Sequence, residues 1–221
     1  MLAVITTGPA AAPIDDVRHI SNFATGEIGA LLAEALAANG FEPLLFRARG
    51  ATHTTVPRGA LLHEFNTNHD LTRTLGNLSA TRGPDILAVF HAAALSDYTV
   101  AAVRGPDGTP IDARKIPGDL PQLHLVLEPA PKILPHLHDW FPHAWIAGWK
   151  YELEGSREDA IDAGRAQLAS GATDATIING AAYGPGFGLL EDSKSPLHFA
   201  TKRELADFLA SRATLSAKAD K

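Results

Sequence analysis

An amide, a lysine and a pair of glycines have the types and positions that acyl or phosphoryl chemistry would use. Asn22 lies in a loop that runs from Thr7-Gly8 to Asn22-Phe23-Ala24-Thr25-Gly26. Its neutral amide can hydrogen-bond a developing oxyanion without carrying charge, and it equally suits a cap on the helix that follows. Gly26 and Gly29 flank the first turn of that helix. Without a Cβ they let a phosphate reach the backbone, where free amides and the helix dipole favour an anion. The same Gly-x-x-Gly spacing also serves tight helix–strand packing. Lys115 sits in a Gly/Pro-rich stretch, as a solvated charge or, if that stretch folds over a site, as a cation for a reacting phosphate. Asp97 follows the small Ala92-Ala93-Ala94 run, over which a ligand can lie against backbone with a carboxylate at the rim; alone, Asp97 reads as a turn or helix cap. Trp149 and Asn179 each end a strand-like run, where an aromatic face and an amide can hold a nucleobase. Trp149 equally suits a core.

Other chemistries are less well served. His136, His138 and His143 cluster near Trp140, but no carboxylate stands at zincin spacing and the segment reads as a helix end with surface histidines. No Gly-x-Ser-x-Gly elbow and no Walker lysine occur. A nicotinamide oxidoreductase is disfavoured, because the first loop has no Gly-x-Gly-x-x-Gly and no Tyr-x-x-x-Lys pair is present.

The elements that must position these groups follow a βαβ rhythm. Residues 2–6 are a short β-branched apolar run, as in a buried parallel strand. Residues 25–39 carry Ile28, Leu31, Leu32, Ala35 and Leu36 at helical spacing, and Gly40 stands where a C-terminal cap belongs. Residues 42–46 form the next strand, so the crossover is right-handed and the sheet parallel. Further helices are expected over 70–80, 132–140, 157–170 and 202–213, and further strands over 85–93, 123–127, 145–149, 174–178 and 197–200. Residues 104–121 lose periodicity and read as a long loop over a ligand site or an arm toward a partner subunit. Residues 1–213 thus form one nucleotide-binding α/β domain: Rossmann-like, doubly wound, mostly parallel, with helices on both faces. Residues 214–221 read as a polar tail. In such a sheet, ligands bind beyond the carboxyl ends of the strands, and the candidate residues cluster at those ends.

Composition agrees with a small-molecule enzyme. The 221 residues are 45% hydrophobic and 20% charged, enough to bury a core. The chain has no cysteine, which removes disulfides, thiolate metal sites and cysteine nucleophiles. A formal charge of -6 argues against nucleic-acid binding. No apolar run reaches membrane-spanning length, and MLAVITTG lacks the basic leader of a signal peptide. The expectation is a cytoplasmic protein with neither a nucleic-acid nor a membrane partner.

Taken together, the segments resemble the phosphopantothenate–cysteine ligase family (phosphopantothenoylcysteine synthetases). TTGPAAAPIDDVRHISNFATGEIG is similar to the family's opening T-x-G-G-T…I-D-x-V-R-x-I-[ST]-N-x-S-[ST]-G-x-x-G. HAAALSDYTV, RKIPG, LEPAPKIL, IAGWKYE and DATIIN follow in the family's order. The length and the K-I-P and W-K-Y variants look most like the monofunctional bacterial form. The resemblance implies a ligase of coenzyme A biosynthesis that joins 4′-phosphopantothenate to cysteine. It would act through an acyl-nucleotide (acyl-CMP), using CTP, or ATP, with Mg²⁺, as a homodimer. It further implies Asn22 and Lys115 as catalytic residues, with Gly8, Ala24, Gly26, Gly29, Trp149 and Asn179 on the nucleotide. Ala93, Ala94 and Asp97 would line the phosphopantothenate site, and Arg18 would reach the substrate phosphate from the other subunit. Pro9, Ala10, Ala24 and Glu27 depart from the pattern. They raise the alternative of a non-catalytic relative that binds a nucleotide or a pantothenate-like ligand.

Overall fold

The computed structural model describes residues 1–192 and 195–219. In chain order it contains β1 (Leu2–Pro9), β2 (Ala11–Pro13), β3 (His19–Ser21), α1 (Glu27–Ala38), β4 (Glu42–Ala48), β5 (Leu61–Phe65) and α2 (Asn68–Arg82). There follow β6 (Ile86–Ala94), β7 (Tyr98–Arg104), β8 (His124–Pro129), α3 (Leu137–Trp140), β9 (Trp145–Tyr151), α4 (Arg157–Ala169), β10 (Ala175–Asn179), β11 (Phe187–Leu190), β12 (Leu197–Phe199) and α5 (Lys202–Ala219).

The main sheet has eight strands in the order β12-β11-β10-β9-β6-β1-β4-β5. From β5 to β10 every pairing is parallel. β11 and β12 finish the far edge antiparallel. β1 lies inside the sheet, with β4, the next main-sheet strand in sequence, on one side and β6 on the other. This reversal of strand order is the topological switch point at which doubly wound sheets bind ligands.

Both faces are covered. On one, α1 and α5 pack Leu32, Leu36, Leu205 and Leu209, all fully buried, against Ile5, Phe90 and Ile177. Burying each such leucine contributes roughly 1.5–3 kcal/mol. On the other face, Leu71 and Leu75 of α2 and Leu137 of α3 pack on Val4, Val89 and Ile146. α4 covers Ile178 and Leu190 near the antiparallel edge. Among the described residues no helix is long and apolar enough to cross a membrane.

Several expectations are corrected in detail. α1 begins at Glu27, not Thr25, because Gly26 takes a left-handed conformation at φ 83° and ends the loop. α2 begins earlier, since Thr67 and Asp70 form a reciprocal capping box. The stretch expected as one helix over 132–140 opens as a 3₁₀ turn at Leu134–His136 before α3, with Pro135 inside that turn. Residues 214–219 continue α5 as helix, with Ala217 buried against the core, whereas 220–221 lie outside the described residues. β8 does not join the main sheet. It pairs antiparallel with β7 as a separate ribbon. Beyond an isolated bridge from Arg104 to Pro110, residues 105–121 are turns and irregular chain, as expected.

Candidate active site

At the switch point Thr7, Gly8 and Pro9 of β1 lie beside Ala92, Ala93 and Ala94 of β6. The Ala10 amide donates to the Ala94 carbonyl at 3.1 Å. Pro9 and Ala10 therefore prolong the strand where an open loop would otherwise present amides. Gly8 and Gly26 pack together below Ala51, and a Cβ on either would sit 2.9 Å from the Ala51 Cβ. Gly29 serves close packing: its Cβ would lie 2.5 Å from Thr7, so the glycine lets α1 close onto β1. Thr7 Oγ1 in turn donates to the Gly26 carbonyl at 3.2 Å. Glu27, which the sequence left beside an anion site, is ion-paired with Lys202 of α5. That bond, then the ammonium charge, holds its carboxyl below the usual range.

Asn22 does not cap α1. Its Nδ2 donates to the Leu95 carbonyl at 2.9 Å, tying the loop after β3 to the end of β6. Ser21 Oγ adds a bond to the Ala10 carbonyl at 3.1 Å. Ala24 is half-buried in the same loop, while Phe23 is fully exposed.

Lys115 stands between two anchored neighbours. Ile116 is 1% exposed. Its amide donates to Asp15 at 3.1 Å, and its carbonyl accepts from both Arg18 Nη1 and Nη2 at 3.1 Å. Arg114 pairs with Asp16 at 2.7 Å. Asp15 also accepts from the amides of Val17 and Arg18 and from the Arg18 guanidinium. Burial opposes ionisation of Asp15, but the amides of Ile116, Val17 and Arg18 outweigh it and hold the carboxyl below 3.8. Arg18 thus secures the segment carrying Lys115 within its own chain.

Beyond the end of β6 lies a cleft of ≈ 170 Å³ that brings together Ala93, Asp97 and Trp149 with His91, Ser96 and Lys132. Asp97 is ion-paired with Lys132. Asn68 brackets the Ser96 backbone, donating to its carbonyl at 2.8 Å and accepting from its amide at 3.2 Å, which fixes the turn before Asp97. His91 Nδ1 lies 2.8 Å from Thr6 Oγ1. Burial pushes the His91 imidazole down from 6.5 to about 4, so the ring stays neutral at physiological pH. Trp149 borders the cleft and also packs on the core beneath α1 and α5. One strand over, Asn179 ends β10 with its side-chain oxygen buried and unpaired.

The structure therefore joins the loop of Asn22 to the end of β6, the segment of Lys115 to the loop of Arg18, and Ala93, Asp97 and Trp149 to one cleft. It places Asn179 outside that cleft's lining. Ala94 contributes a backbone contact to Ala10. His136 stacks on Trp140 and His138 lies 3.9 Å from Asp174. Among the described residues no group of three or more His, Asp or Glu side chains converges as a metal site would require. His91, Lys132 and Asn68 were missed from sequence. His91 is hidden in an apolar strand, and Lys132 stands at the start of a stretch that reads simply as helix. Asn68 follows a threonine cap, where only its bonds to a distant turn mark it out.

A family model described as DNA/pantothenate metabolism flavoprotein C-terminal domain matches residues 2–214. The chain belongs to this family. The coenzyme A biosynthesis bifunctional protein CoaBC of Thermococcus kodakarensis is 29% identical over 217 residues, covering 93% of this chain and 49% of the relative. The protein of that name in Methanocaldococcus jannaschii is 27% identical over 165 residues, covering 75% of this chain and 37% of its own length. The chain thus spans about half or less of the curated relatives it matches. Among solved structures, the DNA/pantothenate metabolism flavoprotein of Streptococcus pneumoniae superposes with a TM-score of 0.82 at 23% identity, over 97% of this chain and 99% of that one. The C-terminal domain of a CoaBC protein gives 0.73 at 18% identity, over 99% and 96%. These members of the pantothenate metabolism family share the Rossmann-like fold described above.

Proposed function

We propose that this domain joins 4′-phosphopantothenate to cysteine at the expense of CTP, or ATP, with Mg²⁺. In this reading the pantothenate carboxylate oxygen attacks the α-phosphorus of the nucleotide. The bond to pyrophosphate breaks and an acyl-nucleotide forms. The cysteine amine then attacks the acyl carbon, loses a proton, and expels the nucleoside monophosphate. Lys115 neutralises charge as pyrophosphate departs, and Asn22 holds an oxygen of the mixed anhydride. Ala93, Ala94 and Asp97 border the acid substrate. Gly8, Ala24, Gly26, Gly29, Trp149 and Asn179 attend the nucleotide. The unpaired Asn179 oxygen suits the exocyclic amine that cytosine and adenine carry, which favours CTP or ATP over UTP. Mg²⁺ would enter with the nucleotide and offset the charge of its triphosphate.

The observation that carries this reading is the bond from Asn22 to Leu95, which sets the Asn22 loop beside the end of β6 and its cleft, while the Asp15–Arg18 turn of the same β2–β3 hairpin holds the Lys115 segment. The exposed apolar side chains of Leu125, Val126 and Leu127 on β8, with Tyr98 on β7, support a homodimer through the ribbon. In that assembly Arg18 would exchange bonds to its own chain for a substrate phosphate on the partner. The protein is assigned to the cytoplasm, with neither a membrane nor a nucleic-acid partner.

The deciding experiment is pyrophosphate release from CTP with 4′-phosphopantothenate, with and without cysteine. Release that needs the acid but not cysteine is expected; its absence overturns the ligase reading. A second reading, a binding relative without turnover, is favoured by Pro9 and Ala10, because the Ala10 amide is spent on Ala94. Calorimetry showing CTP·Mg²⁺ binding in a protein that releases no pyrophosphate would select it.

A further inference from the structure

A short hydrogen-bond relay at the floor of the cleft has no part in the ligation scheme above. The Ala93 amide lies 3.4 Å from Thr6 Oγ1, and Thr6 Oγ1 lies 2.8 Å from His91 Nδ1. Thr6 is fully buried. A hydroxyl has one proton to donate and two lone pairs to accept with. Among the described residues the Ala93 amide and His91 are the only side-chain bonding partners of this hydroxyl. Were His91 Nδ1 to carry hydrogen, both partners would be donors, and the threonine proton would be buried without an acceptor, which a folded core strongly disfavours. The amide therefore donates to Thr6, Thr6 donates to Nδ1, and the ring proton sits on Nε2.

His91 is only 8% exposed, yet it lines the cleft, and Thr6 accounts for its one hydrogen bond among the described residues. Its tautomer is fixed by strand pairing, since Thr6 and His91 face each other across β1 and β6. The walls near it include Leu95, Ile133 and Leu134, with the Asp97–Lys132 pair carrying the charge. An aliphatic arm with a neutral oxygen fits such a site better than an ionic head group does.

We propose that His91 Nε2–H is a substrate-binding donor that grips a carbonyl or hydroxyl oxygen on the acyl arm of the acid substrate. The substrate's identity rests on the ligase reading. A neutral, orientation-locked donor holds such an oxygen in register, while the carboxylate is left to the groups that activate it.

The test uses the full chain labelled with ¹⁵N-histidine. Long-range ¹H–¹⁵N spectra of the free protein are expected to show His91 protonated at Nε2. Titration with 4′-phosphopantothenate alone should shift that resonance. His91→Leu should raise the KM for the acid about tenfold to a hundredfold, with kcat changed far less, and His91→Gln, which keeps a donor, should recover part of the loss. Protonation at Nδ1 overturns the proposal, as does an unchanged KM in a folded His91→Leu protein. If wild-type protein binds and turns over the acid while the His91 resonance stays still, this inference alone fails. If calorimetry finds no binding of the acid to wild type, the ligase reading falls and takes this inference with it.

Discussion

The Asp15 carboxylate and the Ile116 amide, 101 positions apart in the chain, meet at 3.1 Å. With the Arg18 guanidinium on the Ile116 carbonyl, this contact turns a segment without regular structure into a held platform for Lys115. Asp15→Asn keeps the size but cannot accept from three amides and a guanidinium at once. Amide hydrogen exchange over residues 114–118 should rise at least about tenfold while β1 and β6 stay protected. Because the folded carboxyl lies below 3.8, the anchor persists as pH falls to that value and is lost only below it. Unchanged exchange in Asp15→Asn would dismiss the anchor.

Lys115→Gln removes the charge and leaves the platform. Pyrophosphate release should fall about 10²–10³-fold if the ammonium acts on the departing phosphate. Asn22→Asp fails differently, because it replaces the donor to the Leu95 carbonyl with a second negative oxygen. Ligation should be lost more completely than binding of the acid. Single-turnover assays with labelled CTP separate the two steps, and wild-type rates in both variants would remove the mechanism.

Glu27 was a difficulty for the sequence, since it set a carboxylate beside the helix end assigned to phosphate. Its pairing with Lys202 makes the local charge neutral. Glu27→Gln should free that ammonium and tighten CTP binding several-fold at low salt, fading as salt is raised, at a stability cost within about 1 kcal/mol for so exposed a pair. Lys202→Gln should weaken binding. Equal affinities across wild type and both variants would move the phosphate elsewhere.

Burial of His91 makes stability depend on pH. Its folded pKa of about 4 lies below the ordinary 6.5, so between these values the unfolded chain holds the extra proton. Stability from this group is full above pH 6.5 and is lost as pH falls toward 4, by roughly 3 kcal/mol. Urea unfolding at intervals across that range should show this loss in wild type and not in His91→Gln. Parallel curves would place the imidazole in water.

The parallel core was legible because β1, β6, β9 and β10 are short apolar runs separated by helical spacing. β5 was not, since four of its five residues are exposed and leave no apolar alternation to read. In the second ribbon β8 was expected as a strand over 123–127, but β7 and its pairing with β8 escaped, because the ribbon buries little and a long irregular stretch separates its two strands. Gly8, Ala93 and Asn179 do lie at the carboxyl ends of parallel strands, as the strand readings implied. Their connections were not foreseeable. That Arg18 serves the Ile116 carbonyl, that Asn22 serves Leu95, or that Lys132 neutralises Asp97 depends on approaches between segments with no sequence spacing to announce them. His91 shows the limit from the other side, a polar group whose strand context reads as core.

Side chains alternate across a strand. Thr7, Trp149 and Asn179 accordingly belong with the face of α1 and α5, and His91 and Ala93 with the face of α2 and α3. The strand ends form a ridge between the two faces, and Trp149, which packs on one face and lines the cleft on the other, stands at its crest. A molecule that covalently joins an acyl arm to a nucleotide would straddle the ridge, and its second half would bind at an effective concentration set by the first. Such a conjugate can exceed either fragment by a factor of 10²–10⁴ with no contact added. The ridge would then act as a chelating saddle, retaining a reactive hybrid molecule more tenaciously than the separate pieces from which it is made.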